Sequence, residues 1–370
     1  MTRQEYLQAS AAVPATTKSA PVIGSADDLA QLIALLEKHA RIAVDTEADS
    51  LHCYREKLCL IQISIPEGDY LVDPLAGVDL SPLTGTFLRR EIILHGSDYD
   101  LRLMRRDMQF RPGEVFDTQI ASRLLGAKEF SYAALVQKYF DVTLTKGSQK
   151  ANWALRPLSE KMEAYARNDT HYLLPLAEKL ERELRERGRM EWFRQSCQRA
   201  IELAAVARER DSDEVWRIKG SGLIRGRAAA VLRALWRWRD EEAERVDRPA
   251  FHVLRNDQLI AAAVSVAGGD MPQYRHVTDR RARKFQEAVR NAMALPEAEW
   301  PRFERQHRPR PSREKEQAAD AVRIRRDQQA AALGIEASFI AARGTIDAIV
   351  VYDAPAEEFL VPWQREILGL

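Results

Sequence analysis

One stretch of eight residues restricts the fold of this chain more than any other. Leu58–Ile65 reads LCLIQISI and is apolar at every position except Gln62 and Ser64. A strand this apolar is buried on both faces, which requires helices on both sides of its sheet. Further strand patterns at 41–47, 70–73 and 92–95 precede helical patterns at 98–107, 117–125, 132–139 and 159–188. This order predicts an α/β domain with a mixed sheet.

The second half of the chain differs in character. After residue 210 the strand patterns disappear, and helical segments rich in arginine, alanine and glutamate follow. The Pro- and Arg-rich stretch 301–315 is typical of a linker. The sequence therefore predicts a disordered lead-in at 1–20, an α/β domain at 21–210 and a helical domain at 211–300. A linker at 301–317 and a second helical module at 318–370 complete the predicted order.

Charge is unevenly distributed along the chain. The net charge is only +1, but residues 214–310 hold 20 basic and 13 acidic residues, or +7, which leaves −6 for the remainder. A basic module beside an acidic one favours a partner that is a polyanion, although arginine-rich helices can also be ordinary solvated faces. There is no apolar run of about 18 residues that would predict a membrane span.

The cysteine pattern and the first residues bear on where the protein works. The three cysteines form no CxxC pair, and the first 20 residues show no signal-peptide pattern. We therefore expect reduced thiols in a cytoplasmic protein, with no membrane partner, and we expect a monomer.

Two acids lie close together in the first strand. Asp45 and Glu47 are separated by one residue in IAVDTEAD, so their side chains project from the same face of the strand. Two like charges this close repel each other, and a divalent cation with carboxylate ligands would remove that cost. The alternative is a pair of exposed acids at the end of a strand.

Two further elements carry acids. Asp100 follows the strand at 92–95 and lies in the first turn of the next helix, where acids also serve simply as helix caps. Tyr165 and Asp169 are four residues apart, so both lie on one face of a helix, which could be an ordinary amphipathic one. Taken together, four carboxylates and a phenol in one α/β domain favour two Mg²⁺ or Mn²⁺ ions about 3.5–4 Å apart and phosphodiester cleavage.

The motifs and their order resemble the DEDDy exonuclease superfamily and, within it, the ribonuclease D family. The matching segments run from residue 42 to about residue 187 and read IAVDTE, LIQIS, DP, LHGSDYDL, FDTQIASRLL, NWALRPLS and YARNDTHYLLP. This resemblance implies an RNase H-like fold for the exonuclease domain. Asp45, Glu47, Asp100 and Asp169 are implied as ligands of two divalent metal ions, and Tyr165 is implied to orient the attacking water.

The resemblance also implies contacts to the substrate. The basic and aromatic stretch before the third motif supplies five candidates, and two more adjoin the acids: Lys146, Gln149, Lys150, Trp153 and Arg156, with Thr46 and His95. One departure concerns the end of the substrate: many ribonuclease D sequences have an aromatic residue directly after the motif glutamate, and here Ala48 takes that position.

The helical half resembles the HRDC domain found in ribonuclease D and RecQ helicases. The matching stretch is 232–264, and the tail 338–370 more weakly resembles the second helical module of ribonuclease D. HRDC domains are implied to bind nucleic acid, in agreement with the basic segment. We expect a 3′→5′ exoribonuclease that acts on tRNA precursors or other small structured RNA with a free 3′ end. The alternatives are a 3′→5′ DNA exonuclease of the same superfamily and a catalytically silent RNA-binding scaffold.

Overall fold

The computed structural model describes residues 21–145, 147–206, 214–272, 278–302 and 311–370. The predicted lead-in at 1–20 and residues 303–310 of the predicted linker lie outside these ranges, and residues 313–317 of that linker are helical. The chain divides into two compact units: an exonuclease unit of Met1–Ala48, Leu58–Val206 and Arg310–Leu370, and a helical unit of Asp49–Lys57 and Ala207–Pro309. Among the described helices, none is long and apolar enough to cross a membrane.

The exonuclease unit is built on a mixed five-stranded sheet with the strand order β3-β2-β1-β4-β5. Strand β1 pairs antiparallel with β2 and parallel with β4, so it lies at the centre of the sheet. Four of the strands were predicted, and β5 was not, because its three residues run directly into a helix. The strands are β1 Arg41–Ala48, β2 Leu58–Ile65, β3 Gly68–Val72, β4 Glu91–Leu94 and β5 Val115–Asp117.

Helices cover both faces of this sheet, as the apolar strand β2 predicts. In the first three quarters of the unit they are α1 Ala26–Leu36, α2 Ser81–Phe87, α3 Asp98–Met108, α4 Thr118–Leu124, α5 Tyr132–Phe140, α6 Glu160–His171, α7 Leu173–Glu186 and α8 Met190–Ala205. Ile42 and Val44 face a core shared with α1, α2 and α3. Ala43, on the opposite face, packs into a core shared with α4, α7 and α8.

The helix predicted at 159–188 is two helices, α6 and α7, which meet at Tyr172. Pro175 explains the break, because its ring nitrogen has no hydrogen to donate to the carbonyl of His171. The break lets α6 lie against β1, β2 and β3 while α7 packs in the core below. The helix that carries Tyr165 and Asp169 is therefore short and fixed against the sheet.

The C-terminal segment belongs to the exonuclease unit. It contains α13 Arg313–Leu333, α14 Ala337–Ile340, α15 Arg343–Ile346 and α16 Pro362–Leu368, numbered after four helices of the other unit. Trp363 is buried, its ring stacks on Trp192 with centroids 5.0 Å apart, and its Nε1 donates to Ser196 Oγ at 3.1 Å. The C-terminal segment is thus not the separate module that the sequence predicted. A segment of about 50 residues buries little surface of its own, so it packs on the core of the exonuclease unit.

The helical unit contains α9 Gly226–Arg245, α10 Ala250–Val253, α11 Asn256–Ala267 and α12 Asp279–Met293. Leu235 and Trp238 of α9 pack with Leu259 and Phe285 in one core. The unit also includes Asp49–Lys57, the connection between β1 and β2, which the sequence placed in the α/β domain. Within the helical unit, the Tyr54 hydroxyl of this connection donates to Asp240 Oδ2 at 2.9 Å.

Candidate active site

Strand β1 presents the first two acids. Asp45 and Glu47 are two residues apart on one face of the strand, and both are half-buried. Their partners on β2 are Gln62 and Leu60, and the register shifts directly after Glu47. Pairing with β2 fixes the backbone of both acids, whereas the pairing of β1 with β4 involves Arg41, Ile42 and Ala43.

Helix α6 supplies the third acid and the phenol. Its first turn is capped by Ser159, whose side chain accepts from the backbone N–H of Met162. Tyr165 and Asp169 lie one turn apart, and the tyrosine hydroxyl donates a hydrogen bond to the aspartate carboxylate. Gly147 and Trp153 hold the tyrosine ring: a Cβ atom at Gly147 would lie 3.3 Å from the Tyr165 ring, and the Trp153 centroid is 6.1 Å away.

Asp100 lies at the start of α3, directly after β4. The turn before it is held by the buried carboxylate of Asp117, which accepts from the backbone N–H groups of Gly96 at 3.0 Å and Ser97 at 2.7 Å. The same carboxylate caps α4 by accepting from Gln119 N at 2.8 Å. Asp100 itself is buried and accepts a hydrogen bond from Thr46 Oγ1. The position of Asp100 is therefore set from two sides.

Three of the four predicted acids come together closely enough to share one cation. A carboxylate oxygen from each of Asp45, Glu47 and Asp169 lies within 4.8 Å of the other two. Asp100 is not in this group of three, but its charge acts on Asp45 and Glu47. The leading influences on the pKa values of these acids include no lysine, arginine or histidine of the described residues.

Burial and mutual repulsion raise the pKa of every acid in the cluster. Burial, with the charges of Asp100, Asp169 and Glu47, raises the pKa of Asp45 well above its usual value. Burial followed by the charges of Asp169 and Asp100 raises the pKa of Glu47 to about 9. Burial also raises the pKa of Asp169 to about 7 and that of Asp100 to about 6. Such a cluster suits a divalent cation. The carboxylates provide the oxygen ligands that the ion needs, and the positive charge of the ion offsets the repulsion between the acids.

The tyrosine is held in its neutral form. Burial and the nearby charges of Asp169, Glu47 and Asp45 raise the pKa of Tyr165 above its ordinary value. The phenol therefore remains a hydrogen-bond donor at neutral pH. It cannot replace a carboxylate as an anionic ligand, so its chemistry is that of positioning a neighbouring oxygen.

The predicted substrate contacts differ in exposure. Gln149 and Lys150 are exposed, whereas Trp153 is 1% exposed and has no face on which a base could stack. The Arg156 guanidinium forms two hydrogen bonds with the Asp73 carboxylate, at 2.5 and 2.6 Å, and another with Cys59 O. Trp153 thus packs beside Tyr165, and the Arg156 guanidinium is paired within the protein although Arg156 is exposed.

The remaining candidates are supports or lie outside the described part of the chain. Thr46 is buried and donates to Asp100, and His95 Nδ1 lies 2.9 Å from Thr118 Oγ1, with its ring 5.7 Å from that of Tyr132. Lys146 is outside the described residues.

Two supports escaped the reasoning from sequence. One is Asp117, which lies in the quoted FDT segment and has the type and position of a helix N-cap. The other is a polar contact that fixes α6 to the sheet: His171 Nδ1 lies 2.8 Å from Asp69 Oδ2, and Ser64 Oγ lies 2.6 Å from Thr170 Oγ1. The signal for the second was Ser64, one of the two polar residues within an otherwise apolar β2.

Comparisons with known proteins agree with this geometry. The 3′-5′ exonuclease family matches residues 22–185, and the HRDC domain family matches residues 228–288. A ribonuclease D of Zymomonas mobilis is 29% identical over 368 residues, which cover 94% of this chain and 92% of that protein. A ribonuclease D of Sphingobium indicum is 32% identical over 244 residues, 65% of this chain and 62% of that protein.

Among solved structures, the fold is shared with Escherichia coli RNase D, described as an exoribonuclease involved in structured RNA processing. That structure has a TM-score of 0.70 and 23% sequence identity, and the match covers 95% of this chain and 99% of the other. The two domain matches follow the same order as the exonuclease fold and the helical domain seen here. The chain therefore carries a 3′-5′ exonuclease domain followed by an HRDC domain, and over nearly its whole length it is similar to ribonuclease D.

Proposed function

We propose that this exonuclease hydrolyses RNA from its 3′ end, one nucleotide at a time, and releases 5′-monophosphates with the aid of two divalent metal ions. Asp45, Glu47, Asp100 and Asp169 are the proposed ligands. The observation that carries the proposal is the convergence of three carboxylates within 4.8 Å, with the pKa of all four acids raised and no basic side chain of the described residues among the leading influences on those pKa values.

The division of roles follows from the chemistry of the donor set. Bound at these acids, Mg²⁺ or Mn²⁺ supplies Lewis-acid activation of a water molecule and of the scissile phosphate. Asp169 accepts the hydrogen bond of Tyr165, which fixes the direction of the phenol. Tyr165 in turn orients the attacking water, because its hydroxyl stays protonated and has a second hydrogen-bonding position to offer.

The test is hydrolysis of a tRNA precursor labelled at its 3′ end, beside a DNA strand of matched sequence, with Mg²⁺ or Mn²⁺. The proposal predicts a labelled 5′-mononucleotide from RNA and none from the Asp169→Asn variant. Cleavage of DNA in preference to RNA would identify a DNA exonuclease. Binding of the RNA without any cleavage would identify a silent scaffold. We propose that its biological role is the 3′ maturation of tRNA or other small structured RNA.

We further propose that the helical unit contributes contacts to RNA phosphates. The segment 214–310, which lies in this unit except for Arg310, has a net charge of +7. A groove of about 300 Å³ lies between α9 and α12, and Arg237 and Lys284 are exposed along it. Lys284 is paired with Glu287 at 2.9 Å, but both partners are about half exposed, so that pair is easily exchanged for a phosphate.

Salt dependence tests this second proposal on the full chain. Removing everything after residue 210 is unsuitable, because it would also remove Trp363 from the core of the exonuclease unit. Instead, the double variant Arg237→Gln, Lys284→Gln is compared with Arg194→Gln, an exposed arginine of the exonuclease unit. Each lost phosphate contact should flatten the slope of log K against log salt by roughly 0.7–0.9. Equal slopes for wild type, the double variant and Arg194→Gln would exclude the groove as a phosphate site.

A further inference from the structure

Gln62 is a buried amide for which the fold of the described residues provides no partner. It lies on β2, is 0% exposed, and neither its Oε1 nor its Nε2 has a hydrogen-bond partner in the described part of the chain. An unpaired amide at zero exposure is costly, because it has lost its bonds to water and gained none in return. An apolar side chain of the same size would fit a purely structural role better.

The sheet register shows what surrounds this amide. Gln62 pairs directly with Asp45 across the β1–β2 ladder and with Leu71 across the β2–β3 ladder. Directly opposed residues of an antiparallel pair share a face, with their Cβ atoms about 4.5–5.5 Å apart. The side chain of Gln62 is therefore a direct neighbour of the Asp45 side chain, on the face that carries the acid cluster.

The other neighbours of Gln62 within the sheet do not bond to its amide. Leu60 and Leu71 are apolar, and Ser64 Oγ is already bonded to Asp69 and Thr170. The backbone N–H of Thr46 acts on the Asp45 carboxylate. A carboxylate has two oxygens and about four positions for hydrogen bonds.

We propose that Gln62 is the positioning residue for Asp45: its side-chain N–H donates to the Asp45 carboxylate once that carboxylate binds a divalent cation. The bond fixes which oxygen faces the cation. The amide donor is neutral, so it orients Asp45 without neutralising the negative charge that the cation needs. A lysine or an arginine would compete with the cation for that charge. This inference rests on the proposed role of Asp45 as a metal ligand.

The experiment replaces the amide by an apolar side chain of similar length and measures cation binding directly. Gln62→Met is compared with wild type and with Leu60→Met, a similar change two residues away on the same face of β2. Calorimetric titration with Mn²⁺ gives the dissociation constant, and hydrolysis of RNA gives kcat and KM separately. Loss of a bond that orients a metal ligand costs about 10–100-fold in metal affinity or activity.

The expected result is at least about tenfold weaker Mn²⁺ binding and a lower kcat with little change of KM for Gln62→Met. Leu60→Met should bind Mn²⁺ as wild type does. Wild-type Mn²⁺ affinity in Gln62→Met would overturn the inference, and Gln62→Leu gives the same readout if the methionine variant does not fold. Asp45→Asn is titrated alongside: if it too binds Mn²⁺ like wild type, the ligand assignment itself is wrong.

Discussion

Two regions of this protein bury carboxylates, and they treat them in opposite ways. In the helical unit, Glu242 is 4% exposed and is met by Arg245 at 2.9 Å, Arg280 at 3.2 Å and Arg281 at 3.5 Å. Burial alone would raise the pKa of Glu242, but the hydrogen bonds and charges of these arginines outweigh it and lower the pKa below its ordinary value. The fold supplies the counter-charge that this acid needs.

In the acid cluster of the exonuclease unit, no basic side chain of the described residues is among the leading influences on the four pKa values. Burial raises the pKa of Asp45, Glu47, Asp100 and Asp169. The charges of neighbouring acids raise these pKa values further. Glu242 is therefore an acid that stabilises the fold, whereas the four acids of the cluster lower the stability of the fold. A cost of this kind is typical of a functional site, where the missing charge comes from a ligand.

The largest expected effect is the loss of catalysis when one ligand charge is removed. Asp45→Asn and Asp169→Asn should each lower kcat at saturating Mn²⁺ by at least about 10²–10³, the range for loss of one preorganised electrostatic contact in an active site. Circular dichroism should show an unchanged fold. Glu242→Gln is the matched control, because it removes a buried charge from the other region. Near-normal turnover in either aspartate variant would contradict the two-metal assignment.

Tyr165→Phe should give a smaller loss, confined to kcat. The phenylalanine keeps the ring between Gly147 and Trp153 and removes only the hydroxyl that bonds to Asp169. Loss of a single group that orients a reactant is expected to lower kcat by about 10²-fold while KM stays nearly unchanged. Steady-state kinetics on a short RNA measure both constants, and a change limited to KM would assign Tyr165 to substrate binding instead.

Glu242→Gln should destabilise the protein without affecting the chemistry. The substitution removes the negative charge that three arginines share. These arginines are all partly exposed and can turn toward water. We therefore expect a decrease of about 1–3 kcal/mol in the free energy of unfolding, the range for losing a partner of buried polar groups. Urea denaturation measures it. An unchanged or increased stability would show that the arginines do not compensate Glu242.

The pH dependence of stability should have opposite signs in the two regions. A raised folded-state pKa means that the folded protein binds more protons than the unfolded chain, so stability falls as pH rises. For the metal-free acid cluster this loss spans the window from the ordinary carboxylate pKa up to about 9, the folded-state pKa of Glu47. Glu242, with a lowered pKa, contributes stability above its ordinary pKa of 4.5 and loses it as pH falls.

Urea denaturation of the metal-free protein at a series of pH values tests this window. Stability that stayed level between pH 5 and pH 9 would show that the acids do not repel one another as described. Glu242→Gln is the control, because it should weaken only the decline on the acidic side.

Local patterns in the sequence predict a large part of this structure. Strand β2 begins and ends where its apolar run does, because burial on both faces favours apolar side chains, and Gln62 and Ser64 are the two exceptions. The spacing of Tyr165 and Asp169 predicts one helix face, and the hydrogen bond between them follows from it. The assignment of catalytic and substrate-binding roles to individual residues stays a prediction.

Contacts between distant parts of the chain could not be predicted in the same way. Nothing in the periodicity of 49–57 shows that Tyr54 bonds to Asp240, almost 190 residues later. The stacking of Trp363 on Trp192 and the pairing of Arg156 with Asp73 likewise depend on tertiary structure. Arg156 has the residue type expected of a phosphate ligand, and its actual partner appears only once the strands are in place.

The most direct test of the central claim is the stability of wild type and Asp45→Asn at pH 8, without metal and with Mn²⁺. Without metal, Asp45→Asn should be the more stable protein, by on the order of 1 kcal/mol, since one unit of raised pKa corresponds to about 1.4 kcal/mol. With Mn²⁺ the order should reverse, because only wild type gains the full free energy of cation binding. If Mn²⁺ stabilised both proteins equally, or if the variant were less stable in both conditions, the cluster would not be a cation site.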